Sequence, residues 1–272
     1  MVQTREWGIS GSAGQLFARS WYDESRPAAY IAILAHGYGE HIGRYEELAS
    51  WLAGHGAAVY GLDHRGHGRS AGERVVIDDF EAVVEDLHGL VQQVRAEHTR
   101  LPIVLIGHSL GGMIATRYAQ RYRPWLAALV LSGPVLGVWT TVLSLLQHER
   151  VPDTPIDPAT LSRDEKVGAE YVNDPLVWHG SFQRRTLQSI MAMLNTINAG
   201  GRLEALPTLW LHGGDDRLVP IADTRLGIEV VRGSRMVERI YPSARHEVFK
   251  ETNRREVFTD VTQFVESVLQ PG

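Results

Sequence analysis

The chain of 272 residues contains no cysteine. Disulfide bonds, thiolate nucleophiles and cysteine-ligated zinc are therefore excluded, while the compartment is left open. The chain also lacks an excess of positive charge, because 27 lysines and arginines stand against 32 aspartates and glutamates. A net charge of −5 carries no electrostatic signature of nucleic-acid binding, so nucleic acid is not expected among the partners.

Long hydrophobic runs are also scarce. The N-terminus lacks the apolar segment of a signal peptide, so we expect a cytoplasmic protein. Residues 126–146 carry no charge and approach the roughly 20 residues that a membrane-spanning helix needs. Ser132, Gly133 and Pro134 interrupt this segment, however, and residues 126–131 have the composition of a buried strand. A membrane span is therefore not expected here.

Short apolar runs alternate with longer amphipathic ones, a pattern typical of a mostly parallel sheet covered by helices. Two segments with polar alternation predict an N-terminal antiparallel hairpin at residues 3–9 and 14–22. Six buried strands are predicted at residues 30–35, 57–62, 103–106, 126–131, 208–211 and 236–240. Helices are predicted near residues 43–54, 80–98, 110–122, 221–232 and 253–268. The pattern predicts an α/β fold with an eight-stranded sheet.

The alternation of strands and helices stops between the predicted strands at 126–131 and 208–211, which are the sixth and seventh when the two hairpin strands are counted. We interpret residues 134–205 as a helical cap over the carboxyl edge of the sheet, and residues 1–133 and 206–272 as the core. The alternative is a set of ordinary sheet-covering helices. Two apolar parts, residues 135–146 and 187–197, flank a prolyl and charged stretch at 150–166. The apolar side chains of the first part predict transient contact of the cap with lipid surfaces, and these are Leu136, Val138, Trp139, Val142, Leu143 and Leu146.

A candidate nucleophile follows the predicted strand at 103–106. Gly107, Ser109 and Gly111 form the G-x-S-x-G pattern, in which a strained turn exposes a serine hydroxyl at the edge of a sheet. The residue after the serine then directs its N–H toward a developing oxyanion, and here that residue is Leu110. A plain turn of small residues between strand and helix is the alternative. It leaves the use of several glycines unexplained.

A serine nucleophile requires a base and an acid that orients it. His246 follows the predicted strand at 236–240, and Asp215 and Asp216 follow the strand at 208–211. All three therefore lie at the same edge of the sheet as Ser109. We prefer Asp216 to Asp215 as the acid, because Asp216 is placed at the turn itself, whereas Asp215 would cap the turn or face water.

A second oxyanion donor is expected from the loop after the strand at 30–35. The N–H of Tyr38 follows His36 and Gly37 there, and it forms the expected pair with the N–H of Leu110. The glycines of this loop also suggest a dinucleotide-binding turn, and hence an oxidoreductase. Their spacing, G-x-G-x-x-x-G, is one residue too long for that fingerprint.

A metal site is the other alternative that the sequence raises. Asp63, His64 and His67 are close together, but no further ligands follow at a helical spacing. We expect these side chains to support the loop beneath the nucleophile. Neither a metal ion nor a cofactor is expected.

With these residues placed, the chain resembles an α/β-hydrolase, and specifically the monoacylglycerol lipases. The similarity extends over nearly the whole chain. It is carried by His36-Gly37-Tyr38-Gly39-Glu40-His41 with Arg44-Tyr45, by Asp63-His64-Arg65-Gly66-His67-Gly68-Arg69-Ser70, by Gly107-His108-Ser109-Leu110-Gly111-Gly112, and by Tyr171 with Asn173-Asp174-Pro175-Leu176. Two residues depart from the family pattern: Leu110 stands where Met is frequent, and Tyr38 where a smaller residue is frequent.

The resemblance implies hydrolysis of a monoacylglycerol to glycerol and a fatty acid, without a cofactor. It also places Glu40, Arg44 and Tyr171 near the glycerol group. For Glu40 and Arg44 the alternative is a pair that braces the oxyanion loop, and for Tyr171 it is support of the cap. A general carboxylesterase, a lysophospholipase and a non-catalytic member of the fold are the alternative functions. The sequence leaves the oligomeric state open.

Overall fold

The computed structural model describes residues 1–270, which contain one eight-stranded sheet. Its strands are β1 (Val2–Gly11), β2 (Gly14–Asp23), β3 (Tyr30–Ala35), β4 (Ala57–Leu62), β5 (Ile103–His108), β6 (Ala128–Ser132), β7 (Thr208–Gly213) and β8 (Met236–Tyr241). The strand order is β1-β2-β4-β3-β5-β6-β7-β8. The hairpin β1–β2 is antiparallel and β2 is antiparallel to β4, while all other pairs are parallel. The predicted eight-stranded, mostly parallel sheet is confirmed.

Eight α-helices lie within the described residues. They are α1 (Glu46–Gly54), α2 (Phe80–Glu97), α3 (Leu110–Tyr122), α4 (Thr140–Gln147), α5 (Glu165–Asn173), α6 (Arg184–Ala199), α7 (Ile221–Val231) and α8 (Arg254–Leu269). The helix predicted from residue 43 begins instead as a 3-10 turn over Ile42–Tyr45, and the α-helix follows it. The other predicted helices have nearly the expected bounds.

The two faces of the sheet carry two separate apolar cores, as the alternation of side chains along buried strands requires. In β5, Ile103 and Leu105 join the core beneath α2, α3 and α6, whereas Val104 and Ile106 join the core beneath α1 and α8. Because both faces are covered by helices, the polar functional side chains lie at the edge where the parallel strands end.

The segment 134–205 connects β6 to β7 and contains α4, α5 and α6. The helix α5 was not predicted, because it follows the prolyl stretch directly. Its N-terminus is capped by Asp164, whose carboxylate accepts the N–H of Lys166 at 3.1 Å. The apolar face of α6 is buried in the same core as α2 and α3. This helix therefore covers the sheet and also joins segment 134–205, for which we keep the name cap, to the core.

The uncharged segment 126–146 divides into β6 and α4. Between them, Gly133 adopts φ +49°, a left-handed conformation that turns the chain out of the sheet. Over residues 1–270, no helix combines the length and the apolar character needed to cross a membrane.

Candidate active site

Ser109 occupies a strained turn between the end of β5 and the start of α3. Its backbone has φ +54° and ψ −119°, a conformation that a residue with a side chain rarely adopts. The strain is maintained by backbone hydrogen bonds on both sides. The N–H of Ser109 donates to the carbonyl of Ser132 at 2.9 Å, and its carbonyl accepts from Val135 at 3.1 Å. The hydroxyl of Ser109 borders a cavity at the carboxyl edge of the sheet.

The glycines around Ser109 are required by close approach of the backbone. A Cβ on Gly107 would lie 2.3 Å from the carbonyl oxygen of Gly111. A Cβ on Gly111 would lie 2.1 Å from the carbonyl oxygen of Ala35, which ends the neighbouring strand. Side chains at these two positions would therefore separate the turn from the sheet, and the serine would lose its position.

His246 and Asp216 form a buried pair at the same edge of the sheet. The Nδ1 of His246 donates to Oδ2 of Asp216 at 2.7 Å. The other oxygen, Oδ1, accepts the backbone N–H groups of Leu218 and Val219 at 3.0 and 2.9 Å. These two bonds fix the orientation of the carboxylate. The side chain of Asp215 is 44% exposed and pairs with the exposed side chain of Arg217 instead.

The electrostatics of this pair follow from burial and proximity. Burial raises the pKa of Asp216, but the nearby imidazoles of His246 and His212 lower it more, so the carboxyl is ionised at neutral pH. Burial lowers the pKa of His246, and the Asp216 carboxylate raises it more, with a net upward shift. The pair therefore favours a proton on Nδ1 and stabilises a second proton on the ring.

Ser109 and His246 border the same cavity. Within residues 1–270, the imidazole of His246 has its hydrogen bond with Asp216 and none with Ser109. Such bonds are often long before a substrate binds. Because Nδ1 carries the proton that bonds Asp216, Nε2 has the lone pair that can accept a proton from a hydroxyl.

Two backbone amides near Ser109 are free to bind an oxyanion. Leu110 is the first residue of α3, and the first N–H groups of a helix have no partner within it. Tyr38 lies in the loop between β3 and the 3-10 turn, and it borders the cavity together with Ser109. In the described part of the chain, neither amide has a hydrogen-bond acceptor.

Glu40 and Arg44 belong to a buried ion network beside this loop. One oxygen of Glu40 accepts the N–H of Gly37 at 2.7 Å and the hydroxyl of Tyr45 at 2.6 Å, and the other accepts from Arg44 at 2.7 Å. The guanidinium of Arg44 also bonds both oxygens of Glu247, at 2.6 and 3.0 Å. These contacts favour the bracing role for Glu40 and Arg44.

Glu247 was missed by the sequence analysis, although it directly follows His246. Burial raises the pKa of Glu247, but Arg44 and Lys250 lower it more, to about 2, so this buried acid stays ionised. The network thus links the oxyanion loop to the histidine loop. No local pattern in the sequence indicates a pair separated by 203 positions.

Tyr171 lies on α5 and borders the same cavity as Ser109. The guanidinium carbon of Arg44 lies 5.1 Å from the centre of its ring. Its hydroxyl is buried and has no hydrogen-bond partner among the described residues. A buried hydroxyl without a partner is costly, so this group is available to a ligand in the cavity.

The cap closes the cavity with apolar side chains. Phe182 and Trp139 border it, and their rings are 6.0 Å apart in an edge-on contact. The remaining space is about 20 Å³, which is room for about one water molecule. A ligand that carries an acyl chain therefore requires these side chains to move.

The expected lipid contact of Trp139 is wrong. This side chain is 2% exposed, and its Nε1 donates to the carbonyl of Leu218 at 2.9 Å. Leu136 and Val142 are buried as well. Amphipathic spacing alone does not tell which side of a cap helix faces the core. The exposed apolar side chains of this segment are Val138 and Leu143, at 39% and 38%.

The histidines beneath the oxyanion loop have structural contacts. The carboxylate of Asp63 accepts the N–H groups of Ile42 and Arg69, both at 2.8 Å. The imidazole of His36 accepts the N–H of His64 at 2.9 Å. Over residues 1–270, no group of three histidine or acidic side chains is arranged to hold a metal ion.

The site combines a strained serine at the end of a parallel strand with a buried histidine–aspartate pair that follows two later strands. This arrangement defines the class of protein: it is an α/β-hydrolase. Comparison with known proteins gives the family. The sequence profile described as "Serine aminopeptidase, S33" matches residues 26–253. The chain is 36% identical over 258 residues to a monoacylglycerol lipase of Mycolicibacterium smegmatis, with 92% of each chain covered.

Two further comparisons agree. The human monoglyceride lipase is 31% identical over 275 residues, which cover 94% of this chain and 88% of that one. The crystal structure of the monoacylglycerol lipase of Paleococcus ferrophilus has a TM-score of 0.79 at 25% identity, and it covers 93% of this chain and 99% of that one. The chain belongs to this family of serine hydrolases. It is a carboxylic ester hydrolase and a homologue of the monoacylglycerol lipases, so the dinucleotide alternative is wrong.

Proposed function

We propose that this enzyme hydrolyses monoacylglycerols to glycerol and a fatty acid, with Ser109, His246 and Asp216 as the catalytic triad. The observation that carries the proposal is the shared cavity. It brings the strained Ser109, the His246–Asp216 pair and the free hydroxyl of Tyr171 beneath an apolar cap. An apolar wall suits one acyl chain, and a buried hydroxyl suits a small polyol.

In this mechanism, Nε2 of His246 takes the proton of Ser109 as the oxygen attacks the ester carbonyl. The N–H groups of Tyr38 and Leu110 bind the resulting oxyanion. His246 then donates the proton to the departing glycerol oxygen, which leaves an acyl group on Ser109. Nε2 of His246 then takes a proton from water, which attacks the acyl carbonyl, and returns it to the oxygen of Ser109 as the fatty acid leaves. Asp216 holds the imidazole and stabilises its charged form. No cofactor is needed.

A hydrolysis panel tests the substrate class. We expect monoacylglycerols to give a higher kcat/KM than diacylglycerols, triacylglycerols, lysophospholipids and ethyl esters of the same acid. Equal rates for ethyl and glycerol esters would indicate a general carboxylesterase. Faster release of fatty acid from lysophospholipids would indicate a lysophospholipase. No turnover of any ester would indicate a non-catalytic protein.

Tyr171→Phe tests the glycerol contact. A site that bonds a substrate hydroxyl discriminates against analogues without it, because its own polar group is then left unpaired. We expect the variant to lose roughly tenfold in kcat/KM for a monoacylglycerol, about the value of one hydrogen bond. The ethyl ester of the same acid should be nearly unaffected. An equal loss with both esters would assign Tyr171 to support of the cap.

Two exposed apolar side chains in the first part of the cap, residues 135–146, give a second prediction. Replacing Val138 and Leu143 together by Asp should weaken association with phospholipid vesicles by roughly tenfold or more, because each substitution removes apolar area from the interface. Hydrolysis of a dissolved short ester should be unchanged. Leu226→Asp is the matched control, since Leu226 is 61% exposed but lies on α7, outside the cap. Equal weakening by the control would exclude docking through the cap.

A further inference from the structure

Two glycines give the oxyanion loop conformational freedom. Tyr38 lies between Gly37 and Gly39, and Gly39 adopts φ +73°. Glycine populates more backbone conformations than any other residue, so the direction of the Tyr38 N–H depends on contacts made by the loop. Within the loop, the N–H of Gly37 donates to Glu40, and Nδ1 of His36 lies 2.8 Å from the carbonyl oxygen of Gly37. The core holds the loop through the network of Glu40, Arg44 and Glu247. Further contacts come from the cap.

Two of these contacts act on Tyr38 and its neighbour. The backbone N–H of Trp178 donates to the carbonyl of Gly39 at 2.7 Å. The ring of Tyr38 stacks on Phe182, with centres 4.7 Å apart and planes inclined by 18°. Both partners belong to the cap segment 174–182, which connects α5 to α6. The cap therefore holds the ring of Tyr38 and the carbonyl of Gly39, while His36 contacts the carbonyl of Gly37 on the other side of the oxyanion donor.

The third contact is a side-chain pair. The Nε2 of His41, at the end of the loop, lies 2.8 Å from Oδ2 of Asp174. The N–H of Gly43 donates to Nδ1 of the same imidazole at 3.2 Å. Because Nδ1 accepts, the neutral ring carries its proton on Nε2 and donates it to Asp174. The pair therefore does not require a charged histidine.

Asp174 is itself well anchored. Its other oxygen, Oδ1, accepts the N–H of Leu176 at 2.8 Å. The carbonyl of Leu176 accepts from the guanidinium of Arg74, which also donates to the carbonyl of Gly68 at 3.1 Å. The segment Asn173–Leu176, which the sequence singles out, thus connects the cap to the core beside the oxyanion loop.

We propose that the cap segment 174–182 is a clasp that orients the oxyanion loop, with Asp174 and His41 as positioning residues. The cavity beneath the cap is nearly filled, so side chains of the cap have to move when an acyl chain enters. The oxyanion donor would then reach its working orientation only when the contacts between segment 174–182 and the loop are in place over bound substrate. The proposal rests on the proposed function, since it assigns Tyr38 N–H to the oxyanion hole.

Asp174→Asn tests the hydrogen bond between His41 and Asp174 and leaves the bond from the N–H of Leu176 in place. The amide oxygen of Asn can still accept from Leu176, which leaves its NH₂ group facing the N–H of His41. The donor–donor contact breaks the clasp without removing a side chain. Outright loss of an oxyanion donor costs roughly 100- to 1000-fold in rate, so a misoriented donor should lower kcat by about 10- to 30-fold. KM for a dissolved p-nitrophenyl ester should be unchanged, because the interaction is made in the transition state.

Binding of an alkyl trifluoromethyl ketone supplies a readout that a merely structural role would not affect. Its hemiketal oxygen takes the place of the oxyanion, so its affinity should fall by the same factor as kcat/KM. His41→Gln should stay within about threefold of the wild type, because its amide NH₂ can reach Asp174 where Nε2 does. His41→Ala should behave like Asp174→Asn. Asp78→Asn is the control, since it removes the negative charge from a cap–core pair with Arg185, at 2.7 Å, away from the loop.

The outcomes separate the clasp from the function on which it rests. A wild-type kcat in Asp174→Asn, or a rise in KM at constant kcat, would overturn the clasp. An equal loss in His41→Gln and His41→Ala would overturn it as well, as would an equal loss in the Asp78 control. A wild-type enzyme that hydrolyses no ester and binds no trifluoromethyl ketone would instead contradict the proposed function.

Discussion

Replacing Ser109 by alanine should abolish ester hydrolysis, with a loss in kcat of roughly a million-fold, the scale seen when a triad nucleophile is removed. The hydroxyl is the only group lost, and no other group in the mechanism can attack the carbonyl. The fold should be unaffected, because the turn is held by the backbone bonds to Ser132 and Val135 and by the close approach of Gly107 and Gly111. The melting temperature should therefore match that of the wild type.

Labelling identifies the nucleophile independently of turnover. An alkyl fluorophosphonate should modify Ser109 alone, as shown by mass spectrometry of peptides. Ser189→Ala is a matched control, since Ser189 is also buried but lies on α6, and it should retain full activity and labelling. The proposed mechanism would be contradicted if Ser109→Ala hydrolysed esters at the wild-type rate, or if the label were found on another serine.

The fold could be predicted from the sequence because its central strands are buried on both faces. Runs such as residues 30–35, 57–62 and 103–106 are apolar without interruption, which is the pattern of a parallel sheet covered by helices. The helix α5 could not be predicted in this way. It is short, it has only two buried side chains, Val167 and Tyr171, and it follows a stretch rich in proline. Tyr171 packs in a small apolar cluster with Leu161 and Val177, separate from the two main cores, and such tertiary packing leaves no local pattern.

The parts of the candidate site that could be predicted are the side chains that directly follow strands. Ser109, Asp216 and His246 each follow a strand of one parallel sheet, so their proximity follows from the topology. Their roles stay a prediction until activity is measured. The long-range contacts are different in kind. The bond between Arg44 and Glu247 and the burial of Trp139 arise from tertiary packing, for which residue spacing gives no signal.

Asp216→Asn should reduce kcat by about ten thousand-fold, because it selects the wrong tautomer of the histidine. The geometry gives the reason. The amide oxygen keeps the bonds that Oδ1 receives from Leu218 and Val219, so the NH₂ group takes the place of Oδ2 beside Nδ1 of His246. Nδ1 must then accept, and the ring proton moves to Nε2. That nitrogen can no longer take the proton of Ser109.

The pH profile adds a signature with a defined sign. In the proposed mechanism the base is a neutral His246, so activity should rise as the pH passes above the pKa of this group. The Asp216 carboxylate holds that pKa above its ordinary value. Removing the negative charge lowers the pKa, so the acid limb of the residual activity should move to lower pH. An acid limb that stays in place, with a large loss in kcat, would show that Asp216 does not govern the protonation of His246.

Asp215→Asn is the matched control for the choice of acid. It has the same chemistry one residue earlier, but its side chain is exposed and pairs with Arg217 rather than with the histidine. An exposed pair of this kind contributes about 1 kcal/mol at most, so kcat and the pH profile should both be close to those of the wild type. Equal losses in kcat in the two variants would mean that activity depends on the structure of the loop after β7 and not on the carboxylate of Asp216 in particular. The reverse order would make Asp215 the acid, and the bond of 2.7 Å between Asp216 and His246 would then have no catalytic role.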